Sequence, residues 1–391
     1  MDHVFRSLAQ SVTTLFAFPF RIFFVSTALA AAALVPLWLW WLLGGGGAPA
    51  LPALLWHQHE MTVGFLNAAI AGFLLTAVCN WTGTPPVAGR ALLGLWALWL
   101  GARLGLLSGP AWYGVAVAMD LAFLPLVALI VARRVWRARQ PRQALPIAVL
   151  LALWGLDAAF HATGDARFLH GLVLLAAVLI LVIGGRITPA FTANWLRQHG
   201  DSPDRVRRYL PLDIAGLGAG VAVVVLELTG QGGPAAGAVG LLAALVTGVR
   251  LAGWAGWRGR REPLLWILHL GHAWLVLGYM LWALGRLGAP VAPTAWVHAL
   301  GAGAMGSMIL GVITRVSMGH TGRPLRLLPG MLWGYLAILA AGLLRVLAGL
   351  GAVPWQGSLW LAAALWVLAW SVFLVRYVPV LAAPRADGRP G

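Results

Sequence analysis

Long apolar stretches, broken by short connections rich in Gly, Pro and Arg, run through almost the whole chain. Marking the uninterrupted apolar segments predicts twelve helices: Ile22–Leu43, Leu54–Val78, Ala91–Leu107, Trp112–Ala132, Ala144–His161, Phe168–Ile187, Tyr209–Thr229, Ala235–Trp257, Pro263–Leu287, Pro293–Ser317, Leu328–Leu350 and Ser358–Leu381. Each is near the roughly 20 residues that cross a bilayer core. The first is longer than the roughly 7 to 15 apolar residues of a cleavable signal, so it is kept as a helix. GGGGAPALP and TGQGGPAAG read as short Gly/Pro loops. The pattern predicts an all-α integral membrane protein, with residues 1–391 forming a single polytopic domain.

An early segment echoes a late one. Setting His59–Pro85 over His298–Pro324 without a gap gives seven identities in 27 positions, among them His59 with His298, Gly64 with Gly303 and Gly72 with Gly311. FTANW at the end of the sixth helix resembles TAVCNW at the end of the second. The matches predict three four-helix repeats, residues 1–132, 133–257 and 258–391, with helices two, six and ten equivalent. Shared Gly-rich composition is the competing explanation.

Composition agrees with the pattern. Of 391 residues, 61% are hydrophobic and 10% charged, against roughly 25% charged in an average soluble domain. A soluble globule is excluded. A net charge of +16 would suggest nucleic acid in a soluble protein, but every basic residue is Arg, gathered at the ends of apolar segments as in RRVWRARQPR. That distribution is topological, and no nucleic-acid partner is expected. All arginines except Arg103, Arg167, Arg286 and Arg345 fall on the side shared by the N-terminus, the even-numbered loops and the C-terminus. The positive-inside rule then predicts both termini in the cytoplasm. Cys79 is the only cysteine, which leaves His and carboxylates to hold any metal.

Ionisable groups inside a bilayer are costly, and each is a functional candidate. Residue counting puts His57, His59, Glu60, His170 and His298 within about two turns of the outer surface. Asp120, Asp157, His161, Arg103, Glu227 and Arg345 fall at comparable depth. His57 and His59, in W-H-Q-H-E-M, are about 200° apart on a regular helix and cannot share one small ion. Imidazole is a usual axial haem ligand and a good copper ligand, so His59 and its echo mate His298 are candidates to clamp one haem b iron. Arg103 and Arg345 are candidates to hold haem propionates, or else to snorkel to lipid phosphate. Glu60, Asp120 and Asp157 are candidates for proton transfer or for orienting a metal-ligating His. His269 and His272, three residues apart in L-H-L-G-H, share a helical face suited to one metal. Among these, His57, His59, His170, His269, His298 and His320 are the metal-ligand candidates.

Taken in order, WHQHEMTVGFLNAAIAGFLLTAVCNWTGTPP, IGGRITPAFTANWL, REPLLWILHLGHAWL and the stretch from WVHALGAGAMGSMIL to TRVSMGHTGRPL closely resemble the NnrS family over nearly the whole chain. The resemblance implies a twelve-helix, haem- and copper-containing protein of the bacterial inner membrane, linked to nitric oxide metabolism and nitrosative-stress resistance. It carries the family's H-x-H-E-M onto His57, His59, Glu60 and Met61, its L-H-L-G onto His269 and its G-H-T-G-R-P onto the turn with His320. The family pattern often has an aromatic residue where this chain has His272, which speaks against His272 as a ligand. The helix count and the His-bearing helices also resemble haem-copper oxidases and nitric oxide reductases, although those enzymes carry ligand His on a seventh helix that has none here.

Two function classes follow. One is a haem and copper membrane protein that binds and reduces nitric oxide at an outer-leaflet site, supplied by quinol or a periplasmic electron donor. The other is a transporter, since Gly-rich helices, internal repeats and buried charges also suit a permease.

Overall fold

The computed structural model describes residues 10–389. It contains twelve helices long and apolar enough to cross a membrane: α1 (Pro19–Leu42), α2 (Ala53–Thr82), α3 (Gly89–Leu107), α4 (Pro110–Arg137), α5 (Pro141–Thr163), α6 (Ala166–Gln198), α7 (Leu210–Leu228), α8 (Gly233–Gly253), α9 (Pro263–Arg286), α10 (Pro293–His320), α11 (Met331–Gly349) and α12 (Trp355–Leu381). Each corresponds to one predicted segment, and there is no strand among the described residues. The chain is an all-α multi-pass membrane protein.

Local sequence explains the helix ends. Pro19, Pro263 and Pro293 open α1, α9 and α10, where a missing N–H costs nothing and φ is already set. The Glu262 carboxylate caps α9 by accepting from Leu264 N–H at 3.1 Å. Gly83 and Gly164 close α2 and α5 in the left-handed region, with φ of +66° and +69°.

The largest departure from hydropathy is α6, which passes its predicted end at Ile187, accommodates Pro189 and runs to Gln198. Beyond Ile187 it turns amphipathic: Thr188, Thr192 and Leu196 are buried, whereas Arg197 faces outward. An apolar window sees only the first part of such a helix.

Three helices carry π turns, at Glu60–Gly64 in α2, Ile180–Gly184 in α6 and Ala299–Met305 in α10. In α2 and α10 the π turn begins on the residue after the echoed His59 and His298. The echo extends to packing: a Cβ on Gly72 would lie 2.9 Å from Phe24, and one on Gly311 would lie 2.8 Å from Ile267. In α6 the π turn starts ten residues after His170, so α6 does not share the register of the other two.

Backbone contacts divide the chain into two compact units. The first holds the chain up to Ala166, Ile313–Met331 and the segment from Trp370; the second holds Arg167–Val312 and Leu332–Ala369. In the first, α2 packs on α1 and α4, and α4 on α3 and α5. In the second, α9 packs on α8, α6 and the π turn of α10.

The first unit also ties the C-terminal tail to α1 and to the G-H-T-G-R-P turn. Buried Arg21 donates to the carbonyls of Leu381 and, at 2.8 Å, Ala383. Ala386 N–H donates to Thr321 O, and Arg385 to His320 O, both at 2.9 Å. Gly322, at φ +70°, leaves room for the Asp387 carboxylate.

Candidate functional site

In the first unit, buried polar groups from α2, α3, α4 and α5 meet at one point. Their helices alternate in direction, so the start of α2, the end of α3, the start of α4 and the end of α5 share one end of the bundle. His59 is fully enclosed. Its Nδ1 lies 3.0 Å from Glu60 Oε1, and its Nε2 lies 3.2 Å from Asp120 Oδ2 and 3.1 Å from Asp157 Oδ1. Arg103 joins from α3, with Nε 3.1 Å from Glu60 Oε2 and Nη2 2.7 Å from Asp120 Oδ1.

His161, one helical turn after Asp157, completes the group. Its Nε2 is 3.5 Å from Asp157 Oδ1 and 3.9 Å from Asp120 Oδ2, and its Nδ1 is 2.9 Å from the Tyr113 hydroxyl. One donor atom each from His59, Asp120, Asp157 and His161 lies within 4.8 Å of all the others. These four residues can hold a metal ion.

The π turn shapes one wall. Widening the helix at Glu60–Gly64 brings Gly64 against the charges: a Cβ there would sit 2.7 Å from Glu60 Oε2 and 3.0 Å from Arg103 Cδ. Trp99 Nε1 donates to the Gly64 carbonyl at 2.9 Å, which satisfies a backbone group near the disrupted ladder. His57 points elsewhere and stacks on Trp38, 4.1 Å between ring centroids. His57 and His59 therefore have separate surroundings.

The second unit distributes its histidines differently. His170 Nδ1 is 3.2 Å from Glu227 Oε1, while Trp282 donates to Glu227 Oε2 at 2.8 Å and Arg286 pairs with the same oxygen. That carboxylate is fully engaged. His269 Nε2 is 2.9 Å from the Thr192 hydroxyl. His272 is fully buried, its Nδ1 donates to Leu268 O at 2.9 Å, and its Nε2 has no hydrogen-bond partner among the described residues. Gly184 separates that nitrogen from Met308: a Cβ there would meet both, at 3.1 Å and 2.9 Å.

His298 Nδ1 donates to Thr294 O at 2.7 Å, which fixes the ring and leaves Nε2 as the acceptor nitrogen. Arg345 lies in its neighbourhood. Arg345 is 6% exposed, its guanidinium lies 4.3 Å over the Trp355 ring, and its Nη1 has no hydrogen-bond partner among the described residues. His320 packs on Phe20 within the turn that receives the C-terminal tail.

A family model described as NnrS protein matches residues 14–385. The chain belongs to the NnrS family. No curated protein matches it. Within this NnrS-family chain, Glu60, Arg103, Asp120 and Asp157 come together around His59, whereas His170, His269 and His320 each have separate surroundings. His161 is the member of the cluster absent from the sequence-derived ligand set. The signal was available, because Asp157 and His161 form a D-x-x-x-H pair on one helical face.

Proposed function

We propose that this NnrS-family protein is a haem- and copper-binding protein of the bacterial cytoplasmic membrane, with both termini in the cytoplasm, that binds nitric oxide in nitrosative-stress resistance or denitrification. The observation that carries the haem reading is Arg345. A buried guanidinium with no counter-anion among the described residues asks for an anionic ligand, and His298 beside it offers an oriented imidazole nitrogen. Both fit haem, which His298 would hold through its iron and Arg345 through a carboxylate. The alternatives from the sequence fit less well, because Arg103 already pairs with Glu60 and Asp120 and His59 has carboxylates at both ring nitrogens.

Copper fits the neighbourhood of His272 and Met308, where a free imidazole nitrogen and the Met308 methyl both border Gly184 and the Met308 sulfur borders Gly271; an imidazole and a thioether suit cuprous copper. The family pattern often has an aromatic residue at the His272 position, so copper held there would not be a feature of every member. When bound, haem iron supplies an open coordination position for nitric oxide and, with quinol or a periplasmic donor, one-electron chemistry. His298 would hold and orient the group, and Arg345 would neutralise its carboxylates.

The test is the optical spectrum and metal content of purified full-length protein. The wild type should show a b-type haem spectrum that His298→Ala abolishes while the chain remains in the membrane fraction. The competing transporter reading draws on the buried carboxylates of the first unit, which suit a coupled cation or proton; it expects colourless protein.

A further inference from the structure

We propose that His59, Asp120, Asp157 and His161 form a four-coordinate site for a divalent first-row ion of the zinc and ferrous-iron kind, separate from haem and from copper. The inference lies beyond the reading above and uses none of its ligands.

Spacing is the first argument. A tetrahedral ion bound at about 2.0–2.1 Å holds its donor atoms about 3.3–3.4 Å apart. The four measured nitrogen-to-oxygen separations, 3.1, 3.2, 3.5 and 3.9 Å, bracket that value, and no pair of the four donor atoms exceeds 4.8 Å. Hydrogen bonding alone leaves the group incomplete. It joins His59 Nε2 to Asp157 at 3.1 Å, but His161 Nε2 and Asp120 Oδ2 are buried without an acceptable hydrogen bond. One ion at the centre would satisfy both.

Orientation is the second argument. Both imidazoles turn Nε2 inward and fix Nδ1 outward, His59 on Glu60 at 3.0 Å and His161 on Tyr113 at 2.9 Å. Asp120 divides its oxygens similarly, with Oδ1 on Arg103 and Oδ2 facing the histidines. Metal-bound histidines and carboxylates are commonly braced this way, through the atom that does not touch the metal.

Charge selects the ion. Glu60, Asp120 and Asp157 carry three negative charges and Arg103 one positive, leaving two negative charges with neutral imidazoles. A divalent ion cancels them; a monovalent one leaves a net charge buried in a membrane interior, which is costly. Two nitrogens and two oxygens in a near-tetrahedral set, with no sulfur, favour zinc or ferrous iron over cuprous copper and over the tetragonal preference of cupric copper.

The experiment uses the full chain purified in detergent after incubation with Fe(II) or Zn(II). Haem is quantified optically, and iron, zinc and copper are each quantified by mass spectrometry, so that non-haem iron plus zinc is obtained by difference and copper is counted apart. The expected result is about one non-haem iron or zinc ion per chain, with only nitrogen and oxygen at about 2.0–2.2 Å in the X-ray absorption spectrum at that metal's edge. His161→Gln and Asp157→Asn should each lower it at least about tenfold with haem per chain unchanged, so loss of this site and failure of the haem reading are told apart. Tyr113→Phe, which removes one hydroxyl and leaves all four donors, should weaken the ion about 10- to 100-fold in chelator competition. Wild type that takes up neither metal, a sulfur ligand at the iron or zinc edge, or equal iron or zinc in His161→Gln would overturn the proposal.

Discussion

Replacing Arg345 by Leu has a sign that depends on what the guanidinium faces. An arginine at the centre of a spanning helix costs about 2.5–3.5 kcal/mol, an upper bound for Arg345 near the end of α11. Its position over the half-exposed Trp355, 4.3 Å from the ring centroid, returns about 0.5–1 kcal/mol. The group thus stands at most about 1.5–3 kcal/mol in deficit, with no carboxylate among the described residues to offset it. A propionate at about 4 Å, with an effective permittivity of about 20, contributes about 4 kcal/mol and reverses the balance. Without a bound anion, Arg345→Leu should therefore stabilise the protein by the size of the deficit. With one, it should forfeit a net of about 1–2.5 kcal/mol of holo-protein stability and about 4 kcal/mol, roughly a thousandfold, of haem affinity. The assay is haem per chain and apparent haem dissociation in the full-length variant, with the thermal midpoint followed in parallel. A variant with wild-type haem retention and a raised midpoint would refute the reasoning, because the arginine would then have been an uncompensated cost.

Two further outcomes concern local packing and pH. Gly64→Ala, which in an exposed helix gains about 0.8–1.0 kcal/mol, should here destabilise by about 1–3 kcal/mol, since the new methyl meets Glu60 and Arg103; the thermal midpoint of the metal-loaded protein reads the sign. At the tail, the Arg385 guanidinium hydrogen-bonded to Asp387 holds that carboxyl down at about 2. Its folded pKa is depressed, so this anchoring is fully present above the ordinary carboxylate range and is lost only as pH falls through about 2. Protection of the Ala386 amide in hydrogen exchange, corrected for intrinsic rate, should therefore stay constant between about pH 5 and 8 and drop in Asp387→Asn.

The twelve helices were legible because hydropathy reports length and depth, and the bilayer converts both into spans. Depth also forecast that His59, Arg103, Asp120 and Asp157 lie at one level. What residue counting could not supply is lateral neighbourhood: whether Arg103 faces Glu60 and Asp120 or a propionate depends on which helix lies beside α3. The same limit hid the engaged state of Glu227 with Arg286 and Trp282. The π turns have no hydropathic mark at all. Their trace was the ungapped echo, where identical His and Gly positions reflected a shared backbone irregularity in α2 and α10. In α6 the weaker match of FTANW with TAVCNW did not extend to the π turn.

Arg21 and its carbonyl partner at Leu381 are 360 residues apart in the chain. During synthesis α1 enters the bilayer first, and the carbonyls that receive its guanidinium are made almost last. At about 5–20 residues per second, the interval is about 20–70 s. Throughout that time the two carbonyl contacts near the start of the first helix are not yet made, and water, lipid phosphate or an insertion factor must stand in for them. Completion of the bundle is thus coupled to arrival of the final segment, and chains cut short before Leu381 would lack the contacts that fasten α1 to the C-terminal tail.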